Sequence, residues 1–470
     1  GGLILARFLV VSLATHSHLT EGAKPCQRVQ QRETKLFFHK NPERFVQFLK
    51  LLLMELLVAS LILPAAVAAR VWPEDIDDGY VPAPNIEAEA GDPQTMTGYL
   101  LTDAAKLDGA LCLDGTPGLY YHRKGTGSGA NKWYIHQEGG GWCSSVDSCR
   151  SRSLSLLGSS LNYTSTISMM DYEYFSLDPA INPLMYNWNS VYFKYCDGGS
   201  FSGSNASATT IGGGKQLHFR GKHILNGGIT DMLQHRGLAT AAEVVVSGCS
   251  AGGLATFLHC EHWAERIRAE GLASAKVVCM PDSGLFRDYQ GCTTPGVCDP
   301  PHYHDRLVWV FDWMNATSGV NDACIASETP TSNCMFAEHT MKYLTTPTFA
   351  LQGEYDSWQV LADLGIVGGQ MMPNQTTPAQ VALVNEYGVN FTAIVHANLL
   401  SSPQHSIFLD SCFHHCGGWG EYPVGPDEVT QPFAMQEWYD AIGKGALSKP
   451  NEQKTWIQGK PFPCLECCYV

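Results

Sequence analysis

The chain has 470 residues, 44% of them hydrophobic, enough to bury most of its surface in one sizeable core. Its formal charge at pH 7 is −15, and because residues 1–69 hold eight Lys/Arg against four Glu, the remainder stands at −19. A body that acidic lacks the basic footprint needed to bind phosphates, which excludes nucleic acid as a partner. No linker, charge block or repeat divides residues 90–450, so one large α/β domain is expected.

In chain order, the first feature is a leader. Residues 21–50 are polar and basic, and the apolar run "LLLMELLVASLILPAAVAA" fills 51–69. Val67 and Ala69 suit a small-residue cleavage site, with Arg44 and Lys50 as the positive flank of a secretory signal peptide over about 41–69. The run approaches the ~20 residues of a spanning helix, but Glu55, Pro64 and the Ala-rich end favour cleavage. The mature domain is then 70–470, with no stable membrane association once the leader is cut.

Beyond the leader, "KWYIHQE" (132–138) reads as a buried strand running into "GGGWC", and "SVYFKYC" (190–196) as another running into "DGGSFSG". "GKHILNGGITDMLQH" (221–235) has helical apolar spacing. "EVVVSG" (243–248) is a strand and "GGLATFLHCEHWAERIRAEG" (252–271) a helix. "KVVCMPD" (276–282), "PTFALQGEYD" (347–356) and "FTAIVHA" (391–397) read as further strands, and "EVTQPFAMQEWYDAIGKG" (428–445) as an amphipathic helix. Strands alternating with helices predict a mostly parallel sheet wrapped by helices, with its site beyond the carboxyl ends of the strands.

Seventeen cysteines include Cys26 in the leader and sixteen after it. An even, high count behind a signal peptide predicts disulfides in an oxidising compartment. Cys143 and Cys149, close together in "CSSVDSC", are expected to pair. Cys249 is compatible with a buried free thiol. "CFHHC" (412–416) and "CLECC" (464–468) raise a metal alternative, but neither has the paired spacing of a zinc site. Five N-x-[ST] sequons, at Asn162, Asn205, Asn315, Asn374 and Asn390, agree with secretion and are candidate glycosylation sites.

The chemistry centres on "EVVVSGCSAGG". Gly248-Cys249-Ser250-Ala251-Gly252 matches G-x-S-x-G between a predicted strand and a predicted helix, the context that makes Ser250 a candidate nucleophile. A serine needs a base and a group to orient that base. Asp356 in "GEYDSWQ" follows a strand, whereas Glu354 would point to the other side. His405, His414 and His415 lie in one segment near the C-terminus and are all candidate bases. The backbone N–H of Ala251 and one from the "EGGGWC" loop, Gly139–Gly141, are candidate oxyanion donors, since glycines let the chain approach a substrate carbonyl closely.

"WYIHQEGGGWC", "GCSAGGLATFLHC", "PDSGLFRDY", "EYDSWQ" and "SCFHHC", in this order over about 95–445, resemble the pectin acetylesterase family, which also includes Notum-like deacylases. The leader and "CLECC" lie outside the resemblance. It implies an α/β-hydrolase with Ser250 as nucleophile, His415 as base, Asp356 as orienting acid and the N–H groups of Gly140, Gly141 and Ala251 as oxyanion donors. Asp282 in "PDSG" is then a supporting residue, with a role as triad acid its alternative. No metal or organic cofactor is needed. The implied activity is removal of acetyl groups from an acetylated, pectin-like polysaccharide by a secreted monomer. The alternatives are a Notum-like deacylase of lipidated protein, which needs a deep apolar acyl pocket, and an inactive extracellular binding protein, which the intact Ser250, Asp356 and His415 argue against.

Overall fold

A computed structural model of the chain describes residues 91–169, 172–290, 303–366, 376–445, 449 and 452–468. The leader and Asn374 lie outside these residues. The strands are β1 (Thr95–Leu100), β2 (Leu119–Arg123), β3 (Lys132–Gln137), β4 (Thr166–Ser168), β5 (Asn189–Phe193), β6 (Thr209–Thr210), β7 (Gln216–Leu217), β8 (Glu243–Cys249), β9 (Lys276–Asp282), β10 (Phe349–Gly353), β11 (Ser406–Asp410) and β12 (Trp456–Ile457). Ten of them form one sheet in the order β12-β11-β10-β9-β8-β3-β5-β2-β1-β4, with β6 and β7 paired separately. Every pairing from β12 to β5 is parallel, and the β5-β2-β1-β4 end is antiparallel. The longer helices are α1 (Thr102–Asp108), α2 (Val146–Arg152), α3 (Gly221–Asp231), α4 (Ala251–Glu270), α5 (Tyr303–Trp313), α6 (Ser357–Leu364), α7 (Pro378–Asn398) and α8 (Gln431–Gly443).

The central strands are covered on both faces, so they read as unbroken apolar runs rather than alternations. In β8, Val244 and Val246 pack into the cluster that contains Leu254, Phe257 and Leu258 of α4. Val245, one residue out of phase, packs into the opposite cluster with Trp438 of α8. This is the helix-flanked, mostly parallel sheet that the sequence predicts.

Two local readings are corrected. "FTAIVHA" is not a strand; it belongs to α7. Thr377 opens that helix with a capping box, Pro378 follows at its first position, and Val384, Tyr387, Gly388, Phe391 and Val395 recur on its buried side. The β-branched residues mimic a strand, but the apolar spacing over the longer segment is helical, and packing overrides propensity. The helix expected over 221–235 is α-helical to Asp231 and continues as a π turn through Arg236, closed by left-handed Gly237. β11 is an addition: no strand is predicted at 406–410, yet it is buried throughout and pairs with β10.

Candidate active site

Ser250 stands between β8 and α4 at φ 57°, ψ −126°, a backbone conformation that few non-glycine residues adopt. Its side chain is thrust out of the turn while its N–H donates to the Asp282 carbonyl at 3.0 Å. The surrounding small residues are a packing requirement. A Cβ on Gly248 would lie 2.3 Å from the Gly252 carbonyl oxygen, and one on Gly252 would lie 2.0 Å from that of Gln137. Without side chains at these positions, α4 closes onto the ends of β3 and β8, and its N-terminus, which favours negative charge, sits directly behind the serine.

The loop after β3 crosses in front of this turn. A Cβ on Gly139 would meet the Cys249 carbonyl at 2.3 Å and Ser250 Cβ at 2.9 Å, so the glycine loop touches the elbow. Gly140 and Gly141 both have positive φ, 124° and 63°. The loop is pinned by residues with no role assigned from the sequence. Glu138, fully buried, pairs with Lys194 at 2.5 Å and accepts from the Tyr195 N–H at 2.8 Å. The Tyr195 hydroxyl donates to the Gly141 carbonyl at 2.8 Å. Trp142 Nε1 donates to Ser200 Oγ at 2.7 Å, and Ser200 Oγ donates to the Ala251 carbonyl, also at 2.7 Å. One hydroxyl therefore ties the glycine loop to the first turn of α4. The one signal for them is position: "EGGGWC" and "DGGSFSG" both follow carboxyl ends of parallel strands, where sites gather. Cys143 is bonded to Cys149, bracing the far side of the loop.

Asp356 and His415 meet, with Asp356 Oδ2 2.7 Å from His415 Nδ1 and both side chains 1% exposed. Asp356 caps α6, its Oδ1 accepting from the Gln359 N–H at 2.9 Å, while Gln352 Nε2 reaches Oδ2 at 3.2 Å. These donors fix the carboxylate so that it grips one ring nitrogen, which makes Nε2 the nitrogen suited to proton transfer. Phe286 and Trp358 pack against the imidazole.

His415 is joined to the elbow covalently at one remove. Cys416 forms a disulfide with Cys249, so the residue after the histidine is bonded to the residue before the serine. This corrects the free-thiol reading of Cys249. The elbow buries that side chain, as expected, but buries it against the histidine loop, a contact invisible in local sequence. Asp282 and Ser283 hold the same loop: the Cys416 N–H donates to Ser283 Oγ at 2.8 Å and the Gly417 N–H to Asp282 Oδ2 at 3.2 Å. Asp282 also accepts from Tyr174 at 2.5 Å. It lies under the site as a support for the backbone, and the carboxylate against His415 is that of Asp356.

A sequence model of the family described as Pectinacetylesterase matches residues 90–468. The chain belongs to the pectinacetylesterase family. Pectin acetylesterase 4 of Arabidopsis thaliana is 36% identical over 390 residues, 78% of this chain and 87% of that protein. Palmitoleoyl-protein carboxylesterase NOTUM of Homo sapiens is 27% identical over 370 residues, 76% of this chain and 68% of that protein. The solved structure of the Wnt deacylase Notum from Drosophila has the same fold, with a TM-score of 0.66 at 24% identity, covering 80% of this chain and 99% of that one. As a pectinacetylesterase family member the protein is a carboxylic ester hydrolase with an α/β-hydrolase-like fold. The family match extends past the segments that carry the sequence resemblance and takes in "CLECC", whose cysteines pair as Cys464–Cys467 and, with the site segment, Cys412–Cys468. With Cys416 also bonded, all five thiols of the metal alternative are oxidised. The one ligand-like cluster among the described residues, Cys249, Asp282 and Cys416, contains a disulfide.

The other two candidate bases, His405 and His414, have other partners. His405 accepts from the Thr348 N–H at Nδ1 and donates from Nε2 to the Leu344 carbonyl, which fixes it as a neutral core residue. His414 Nε2 lies 3.1 Å from the buried carboxylate of Asp410. Burial opposes its charge, but Asp410, with Asp282 and Asp356 farther off, outweighs burial and pushes His414 up to about 9. A cation favoured by folding stabilises fully below the ordinary value of 6.5 and progressively less as pH rises through about 9. His414→Gln is therefore expected to keep most turnover, to melt below wild type at pH 6, and to close that gap by pH 10. The full linkage amounts to about 3 kcal/mol as an upper bound. Melting curves across this range check it, and a gap independent of pH would refute it.

Of the sequons among the described residues, Asn162, Asn315 and Asn390 are exposed. Asn205 is half-buried, its amide nitrogen 3.3 Å from the Trp313 carbonyl.

Proposed function

We propose that the protein is a secreted serine esterase that removes acetyl groups from pectin-like polysaccharide. In this reading His415 Nε2 takes the Ser250 proton as Oγ attacks the ester carbonyl, and Asp356 holds the tautomer and stabilises the imidazolium without itself taking the proton. N–H groups of Gly140, Gly141 and Ala251 receive the oxyanion. The sugar alcohol leaves with the proton from His415, and water, activated by the same base, releases acetate from the acyl-serine. The observation that carries the reading is the Asp356–His415 pair, bonded through Cys416–Cys249 to the strained serine elbow.

Acetyl is favoured over a long acyl chain by the packing beside the base. Trp142, Phe286, Tyr303 and Trp358 touch one another pairwise with ring centroids 5.0–5.8 Å apart. Two of them, Phe286 and Trp358, also lie against His415, and side chains packed on one another in this way suit a short acyl group better than a long chain. Of the two relatives compared, the more similar one, at 36% identity, is named a pectin acetylesterase and the one at 27% a palmitoleoyl-protein carboxylesterase, which supports the acetyl reading. Release of acetate from a panel of acetylated polysaccharides, with p-nitrophenyl acetate and palmitate compared in parallel, tests the proposal. Acetyl esters should be preferred by at least about 100-fold, the scale on which pocket shape discriminates. Faster cleavage of the palmitate would replace the acetyl reading with the deacylase one.

A further inference from the structure

One turn beyond Gln359, whose N–H Asp356 holds, α6 carries a buried carboxyl group that the mechanism above does not use. This is Asp363, and it and Gln359 are both almost fully buried, at 2% and 1% exposure. The Gln359 amide has a fixed orientation. Its Nε2 donates to the Leu285 carbonyl at 3.1 Å, and its Oε1 accepts from the Arg287 backbone N–H at 3.1 Å. Oε1 can therefore only accept. The Tyr387 hydroxyl, reaching in from α7, lies 2.9 Å from that Oε1 and 2.7 Å from Asp363 Oδ2. A phenol has one hydrogen. If Asp363 were ionised, both neighbours would be acceptors and one short oxygen–oxygen contact would carry no hydrogen. If Asp363 is protonated, it donates to Tyr387, Tyr387 donates to Gln359, and every contact is satisfied. The other carboxyl oxygen, Oδ1, is buried without a hydrogen-bond partner among the described residues, a costly arrangement for a charge and a tolerable one for a neutral carbonyl.

We propose that Asp363 works as a protonated acid, a positioning residue that donates to Tyr387, leaves the Tyr387 hydrogen for Gln359 and so fixes the helix turn that Asp356 caps. The proposal rests on Asp356 being the acid that orients His415. The groups facing Asp363 are Arg287 and Tyr289 from the segment after β9, Tyr303 from α5, Glu338, Asp356 at the start of its own helix, and Tyr387. Arg287, the one cation of this set, lies over the Tyr387 ring, 4.7 Å from its centroid. Burial pushes the Asp363 carboxyl up to about 8; Tyr387 and Arg287 oppose the rise, and Asp356 and Glu338 add to it. Across the window from about 4 to about 8 the folded protein keeps a proton that the unfolded chain has lost, so Asp363 lowers stability progressively as pH rises through that window. Above it, the ionised group would draw the Tyr387 hydrogen away from Gln359 and place a second negative charge near Asp356.

Three measurements on the whole protein test this. Difference infrared spectra of wild type against Asp363→Asn should show a protonated carboxylic acid carbonyl band in wild type at neutral pH, titrating away near pH 8. Asp363→Asn should melt above wild type by a margin that widens from about pH 4 to about pH 8, because the amide donates as the acid does and never ionises. On p-nitrophenyl acetate at neutral pH, Asp363→Ala should lose up to about 100-fold in kcat with KM unchanged, the scale of a small misplacement of a catalytic group, and Asp363→Asn should restore it. No such band in wild type, or a melting margin that does not change with pH, overturns the proposal. So does an Asn variant as slow as the Ala variant. The infrared and melting arms do not depend on the esterase reading and decide the matter even where Asp363→Ala does not fold. A failure of that reading would appear separately, as a wild type inactive on every ester.

Discussion

Ser250→Ala is expected to lower kcat on acetyl esters by about 10⁶-fold, the loss measured when a triad nucleophile is removed from a comparable hydrolase. Thermal stability should hardly change. The side chain is almost fully buried and the elbow's strain lies in the backbone, which alanine retains along with its Cβ. His415→Ala should cost about as much, because without a base the serine is a poor nucleophile at neutral pH. The double variant should be no slower than either single one, since groups that act as a unit lose their effect together. His414→Ala and His405→Ala serve as controls and should retain most turnover. A Ser250→Ala protein with a tenth of wild-type activity would remove this serine from the mechanism. If only the His414 variant were dead, the pairing of His415 with Asp356 would be structural and the base would be one residue away.

Gly252→Ala should be damaging although it removes no functional atom. The new methyl would lie 2.0 Å from the Gln137 carbonyl oxygen and 2.8 Å from that of Glu138. Both are backbone atoms at the end of β3, where no flexible side chain can give way. Either α4 withdraws from the sheet or the glycine loop moves. The first displaces Ala251 and Ser250, and the second displaces Gly140 and Gly141. We expect a loss of about 3 kcal/mol, the upper end for overpacking a tight contact, and at least about 100-fold in kcat/KM, since a shift of about 1 Å in a reacting group costs that much. Denaturant unfolding and steady-state kinetics on one purified variant measure both. Wild-type behaviour in both would mean that helix and strand do not approach this closely. Gly141→Ala is a useful contrast: its Cβ would meet nothing within 4 Å, so its cost should come from the positive φ alone.

Much of the fold and of the site is legible in the amino-acid sequence, and the legible parts are local. A Gly-rich turn between a β-branched strand and an apolar helix constrains its own backbone, so "EVVVSGCSAGG" announces the elbow through sterics that span a few residues. Unbroken apolar strands announce a sheet covered on both sides, and Cys143 and Cys149 lie close enough in sequence to pair across one turn. "FTAIVHA" misleads for the same local reason: seven residues rich in β-branched side chains suit a strand, and the capping box at Thr377 that starts the helix lies well upstream.

Composition, the elbow and the placing of glycines were determined by the sequence itself, because each depends on charge count or on hard-sphere contacts between near neighbours. Which histidine meets a carboxylate depends on long-range packing. His405, His414 and His415 are chemically alike in the sequence, and only the folded chain gives the first to Thr348 and Leu344, the second to Asp410 and the third to Asp356. The partner of Cys249 was decided in the same way, 167 residues along the chain at Cys416. So was the proton proposed for Asp363, since water leaves that carboxyl only when α6 and α7 pack together and Tyr387 arrives with a single hydrogen to give. Desolvation and donor counting are properties of the assembled interior, and no window of sequence contains them.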